Sequence, residues 1–266
     1  MGKGGFAVKR LIGFCTLFVF ALLTFAGLAL TASARAETLV GSNADSRLTV
    51  ALSVSPAAAQ AWLPAPWQVE PLPKGPFRGA NLLIACIDRL LNQDPKGTPA
   101  GGGTFRLAAL FVPAKNPRTG DSATFVIRVY GPHAGAGPYK NSIQATVRRE
   151  ATMRGADFDP GTGSEAWLVQ DQAGGILKFR MNYRRALPTR SRGEARPHSN
   201  IDPTFFRMYR YDQLMDVVKS VPDDIDRVSS HHLRVTIKEL RELFNGSEQL
   251  VGIALIPWYG RQTFLP

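Results

Sequence analysis

The chain has 266 residues, with 32 Lys and Arg against 21 Asp and Glu, a formal charge of +11 at neutral pH. That balance favours anionic partners. Two cysteines and four histidines, none spaced as a pair of zinc ligands, exclude a zinc-binding pattern, so neither a metal nor a cofactor is expected.

The first 36 residues are set apart by their layout. Lys3, Lys9 and Arg10 precede an apolar run from Leu11 to Leu30, and small residues follow, ending Ala34-Arg35-Ala36. This is the pattern of a secretory signal with an A-x-A cleavage site, and it predicts export to the periplasm or beyond. The run also has the length of a bilayer span, roughly 20 residues, so a retained N-terminal anchor is the alternative. Cys15 lies deep in the run without a small residue before it, which argues against lipid attachment. The remaining 230 residues, 37–266, keep 28 cations against 21 acids and hold one cysteine, Cys86. A disulfide within the molecule is excluded there, and stability must come from a core. The length suits one large β domain.

Along the chain, "RLTVALS" opens as a strand. Ser55-Pro56 then forms an N-cap and first-turn pair for a brief helix ending before Pro64. Five prolines between 64 and 76 keep the next stretch extended. "ANLLIACIDRLL" reads as a buried strand because Pro and Gly clusters flank it closely. "FRLAALFVPAK" and "ATFVIRVYG" form a hairpin across "NPRTGDS". A loop with three glycines, Gly131, Gly135 and Gly137, and two prolines follows, running into "SIQATVRREATM". "EAWLVQDQ" and "ILKFRMNYRRA" are joined through "AGG", a second hairpin. "PTFFRMYRYDQ" alternates at period two, with Phe206, Met208 and Arg210 on one face and Phe205, Arg207 and Tyr209 on the other. "HHLRVTI", a short helix "KELRELFNG" stopped at Asn245-Gly246, and "LVGIALIPWYGRQTFL" complete the chain. The fold class expected is mainly β: a large curled antiparallel sheet, cone-like or barrel-like, with a few short helices.

Three stretches together carry a resemblance. "AQAWLPAPWQVEP", the loop "GPYKNS", and the sweep from "DPTFFRMYR" through "RVTIKELRELFNGSEQLVGIALIPWYGRQTFL" resemble the acetoacetate decarboxylase-like superfamily. The resemblance implies a β-cone around a central cavity over residues 37–266. Decarboxylases of that family use a lysine, activated by a neighbouring cation, that forms a Schiff base with a β-keto acid. Matching Arg149-Glu150 to the family's Arg-Glu places Ala156 where the family has its lysine. Asn141 stands where the family has a glutamate after the Gly-x-Tyr loop. The resemblance therefore implies a divergent member that lacks the catalytic lysine motif.

The candidate residues follow from chemistry. A Schiff-base lysine needs a depressed pKa, which burial or an adjacent cation supplies. Lys178 has Arg180 two residues on and hence on the same strand face, and Lys140 lies in the glycine loop. From Lys178 to Arg210 the chain holds nine cations against Glu194 and Asp202. Guanidinium forks bind carboxylates in two-pronged fashion, which nominates Arg180, Arg207 and Arg210 as ligand partners. Tyr139, Asn141 and His133 sit at the loop that would rim a cavity. Arg148, Arg149 and Glu150 read as an exposed charged run, with a buried ion pair as the alternative, and His231 and His232, adjacent on a strand, point to opposite faces, one of them toward core or cavity wall.

The expected partner is a small anionic organic molecule, with an anionic envelope surface as a further possibility. Nucleic acid is not expected, since export removes the usual target and no recognition motif is present. Two activities remain open: a binding protein, or a lyase (decarboxylase, aldolase or dehydratase) acting on a keto acid through Lys178 or Lys140.

Overall fold

Alternating polarity at period two runs through most of the chain, and strands follow from it. The computed structural model describes residues 36–266; the predicted leader lies outside the described residues apart from Ala36. The strands are β1 (Thr38–Ser53), β2 (Gln68–Val69), β3 (Leu82–Gln93), β4 (Phe105–Lys115), β5 (Ser122–Gly131), β6 (Ser142–Arg154), β7 (Thr162–Asp171), β8 (Ile176–Arg184), β9 (Thr189–Ala195), β10 (Pro197–Ser199), β11 (Met208–Ser220), β12 (Ile225–Asp226), β13 (Val228–Val235) and β14 (Gln249–Leu265). They form one 14-stranded sheet in the order β12-β11-β14-β1-β3-β4-β5-β6-β7-β8-β13, with β2, β9 and β10 added beside β4, β11 and β5. The path runs between two edges without closing.

The pairing is antiparallel except at β5, which is parallel to both β6 and β10. An antiparallel hairpin is thus replaced, between β5 and β6, by the glycine loop itself, which carries the chain back to start β6 beside Val129. The loop's composition permits this. Gly137 has φ of 63°, and a Cβ there would collide with Ser142 Oγ.

Two short helical pieces occur among the described residues. α1 (Pro56–Gln60) has Pro56 in its first turn, and Ser55 Oγ accepts from the Ala58 N–H at 3.5 Å. The expected helix over "KELRELFNG" reduces to a 3-10 turn, Lys238–Leu240, followed by further turns. So short a segment gains too few backbone bonds to offset helix nucleation. Burial of Ile237, Leu240 and Leu243 holds it in place instead.

Side-chain parity divides the sheet's two faces. Leu48, Val50 and Leu52 of β1, Leu82, Ile84 and Cys86 of β3, and Ala108, Leu110 and Val112 of β4 point one way. They pack against Trp167 and Val169 of β7 and Leu177 and Phe179 of β8, which is possible because the sheet curls back on itself. The intervening odd-numbered residues of β1, β3 and β4 face the opposite side and line a cavity.

One expectation on the core side is corrected. Arg149 does not belong to an exposed run: its Nε donates to buried Glu165 at 2.6 Å and its Nη1 to Asp88 at 3.1 Å. Trp167 Nε1 donates to the same Glu165 carboxylate at 3.0 Å. Glu165 is a diagonal neighbour on the paired strand β7, and Asp88 is reached because β6 and β3 are brought together across the curl, a neighbourhood that strand-local pattern does not contain. His231 and His232 are both exposed, neither in the core nor on the wall of the cavity, because β13 is an edge strand.

Candidate functional site

The cavity has a volume of about 830 Å³ and lies between the odd-numbered face of β1, β3 and β4, the glycine loop, and residues of β9, β11 and β14. Such a volume falls in the range of small-molecule sites. Five arginines reach its wall: Arg196, exposed at the rim and paired with Glu194, and four less exposed ones, Arg47 from β1, Arg89 from β3, Arg207 just before β11, and Arg261 from β14. Strand pairing sets them together. Asp45 of β1 lies opposite Arg89 on one side and Tyr259 on the other, and Asn43 lies opposite Arg261.

Each guanidinium is held differently. Arg47 pairs with Asp45 and lies 3.4 Å above the centre of the Tyr259 ring. Arg89 Nε donates to Asp45 Oδ1 at 3.1 Å, its Nη1 to Asn92 Oδ1 at 3.2 Å, and it faces the Phe105 ring at 5.2 Å. Arg261 lies 3.8 Å above the Tyr209 ring and donates through Nε to Asn43 Oδ1 at 2.9 Å. Arg207 Nε is buried with no hydrogen-bond partner among the described residues.

Charge does not balance here. Asp45, fully buried, serves both Arg47 and Arg89, while Arg207 and Arg261 have no carboxylate partner among the described residues. Glu194 lies at the rim but is engaged by Arg196 at 2.7 Å and Arg210 at 3.1 Å. Glu70 lines the far end beside Lys115. Burial, and then the neighbouring Arg261 cation, push the Arg89 pKa down to about 10, against the opposing pull of Asp45. Arg89 is still charged at neutral pH. An excess of desolvated positive charge of this kind is relieved by an anion.

Tyrosines complete this end. The Tyr139 and Tyr209 hydroxyls hydrogen-bond to each other, and burial, then the Tyr209 neighbour, hold the Tyr139 phenol well above its ordinary pKa. Burial raises Tyr259 likewise. At neutral pH Tyr139 and Tyr259 are therefore neutral.

The residues nominated from sequence divide into two groups. His133, Tyr139 and Arg207 line the cavity, with His133 packed edge-on against Phe105 at 4.6 Å. The others do not. Asn141 is buried behind the wall, its Nδ2 donating to the Val126 carbonyl at 2.6 Å and to Asn200 Oδ1 at 2.8 Å. Lys140 points outward from a left-handed backbone (φ 59°) to Asp202 at 2.9 Å. Lys178 and Arg180 share the face of β8 opposite Leu177, Phe179 and Met181, which are core; Arg180 lines a separate groove with Arg149, His231 and His232. Arg210 is exposed and pairs with Glu37 and Glu194. Among the described residues, no lysine lines the cavity.

Sequence reading did not single out Arg47, Arg89, Arg261 or Tyr209. A signal exists: Arg47 and Arg89 stand two residues from Thr49 and Ile87, in phase with a lining face. Nothing local distinguishes that face from the core face, because both are apolar along β3.

The fold defined by this sheet and its cavity is that of the acetoacetate decarboxylase-like proteins. Among solved structures, the chain superimposes on the enduracididine biosynthesis enzyme MppR with HEPES bound at a TM-score of 0.54, with 12% identity over 90% of this chain and 91% of that one. The same enzyme complexed with pyruvate gives 0.53 and 13%, over 88% and 91%. An acetoacetate decarboxylase-like enzyme from Sphingomonas wittichii RW1 gives 0.53 and 13%, over 89% and 95%. No family model matches the sequence, and no curated protein matches it significantly.

Proposed function

We propose that the chain is an exported β-cone protein that binds a small anionic organic molecule in its central cavity. The observation that carries this reading is the cluster of Arg47, Arg89, Arg207 and Arg261 around a single buried carboxylate, Asp45. Arginine forks with free donors, such as Arg207 Nε, favour a carboxylate ligand. The tyrosine hydroxyls add neutral donors that orient it.

Binding without covalent chemistry is favoured over Schiff-base chemistry because the lining residues include no lysine. Lys140 is committed to Asp202, and Lys178 stands on a face of β8 that does not line the cavity. The test combines equilibrium dialysis with intact-mass analysis, using pyruvate and acetoacetate with borohydride. The expected result is no mass adduct, together with carboxylate binding that weakens as salt is raised. A borohydride-trapped adduct on Lys140 or Lys178 would overturn the reading, as would failure of every carboxylate tried to bind at low salt.

A further inference from the structure

The lining residues of the cavity are ordered along one axis. Strand register places Arg89 opposite Phe105 at one end, then Ile87 opposite Leu107, with Arg47 beside Ile87. Next comes a row of small residues, Ala85 opposite Ala109, with Thr49 beside Ala85. Leu83 opposite Phe111 follows, and Pro113 and Leu72 lie beyond. The four arginines therefore gather at one end, and the floor running away from them is apolar. From Arg89 to Leu83 the strand advances about 20 Å at roughly 3.3 Å per residue.

A three- or four-carbon acid held by the arginines would leave most of this floor uncovered. Ala85 and Ala109, small where their neighbours are large, deepen the floor at its middle into a trough. Val126 of β5 lies opposite Phe111 and Val129 opposite Ala109, and both line the cavity, walling one side of the trough with more apolar surface.

Resting on the anion site proposed above, we infer that the ligand is a single-chain amphiphile: a free carboxylic acid whose head sits among the arginines and whose apolar chain lies along the Ile87–Leu83 trough. Head and tail are recognised by different physics. Ion pairing sets the first, and removal of apolar surface from water sets the second.

Calorimetric titration of the 37–266 unit, and of the full chain, with n-alkanoates from butyrate to hexadecanoate below their micelle concentrations separates the two. Affinity is expected to rise about fourfold per added methylene, the equivalent of burying each CH₂, and then to level off when the trough is filled. Arg261→Gln is expected to weaken every member by a similar factor, and Ala109→Phe to move the plateau to shorter chains. Affinity independent of chain length, with Arg261→Gln still weakening it, removes the amphiphile and keeps the anion site. Affinity that grows with chain length but ignores Arg261→Gln removes the anion site. Displacement of bound alkanoate by anionic diacyl vesicles would overturn the free acid in favour of a membrane lipid. The wild-type series needs no variant to fold.

Discussion

Asp45 illustrates how one residue shapes the cavity. It is fully buried, accepts from both Arg47 and Arg89, and among the described residues is the one acid paired with any of the four arginines. Replacing it by Asn leaves two desolvated cations without a counter-charge. Asp45→Asn is expected to destabilise the fold by about 3 kcal/mol, measured by urea unfolding, and an anionic ligand should restore part of that loss. The tyrosines offer a second test at this scale. Burial raises the pKa of Tyr130, Tyr139, Tyr183 and Tyr259, so four of the six tyrosines should resist ionisation above pH 10 in a spectrophotometric titration. All six should titrate together once the chain is unfolded. Because the folded phenols bind their protons more tightly, they contribute stability that is present below the unfolded pKa and is lost as pH rises through the folded values.

Between elements, charge pairs tie strands whose backbone contact is limited. Arg227, between β12 and β13, joins the two ends of the sheet path. Its N–H donates to the Val218 carbonyl of β11 at 2.8 Å, and its own carbonyl accepts from Arg184 of β8 at 2.8 Å. Its guanidinium donates to Asp216 Oδ1 at 2.5 Å, and Asp216 is buried. Arg227→Gln should cost about 2 kcal/mol in urea unfolding, the scale of a hydrogen bond to a charged group. It should also speed amide exchange in β12 and β13 before the core strands respond. Further along the same edge of β11, Arg190 and then Arg192 of β9 hold the Asp212 carboxyl well below its ordinary range. A depressed carboxylate contributes stability that is full above the unfolded pKa of about 4 and is lost as pH falls toward the folded value. Amide protection of β9 should therefore decline on acidification below about pH 4, and Asp212→Asn should flatten that decline.

At the scale of the whole molecule, the strands were legible because period-two patterning and Gly or Pro punctuation are local. β3, β4, β5, β7, β8 and β14 fall where their residues place them. β9 was not legible: "TRSRGEA" has no apolar face and is a strand only because β11 offers it an edge. The basic stretch from Lys178 to Arg210 was visible as composition, yet Arg190, Arg192, Arg196 and Arg210 spend their charge on Asp212, Glu194 and Glu37 at the surface. Likewise Lys178 and Arg180 do share a face, but which face depends on how β8 sits between β7 and β13. The cavity's cationic end was illegible for the same reason. Its arginines come from β1, β3, β14 and the approach to β11, up to 214 residues apart in sequence, and only the register of four strands unites them.

A crystal structure with bound decanoate is the decisive test of that convergence. The carboxylate is expected within hydrogen-bond distance of Arg207 and Arg261, with the chain running past Ala85 and Ala109 toward Leu83. A carboxylate seated instead at Lys140, Lys178 or the Arg180 groove, or a chain lying in the reverse direction, would contradict it.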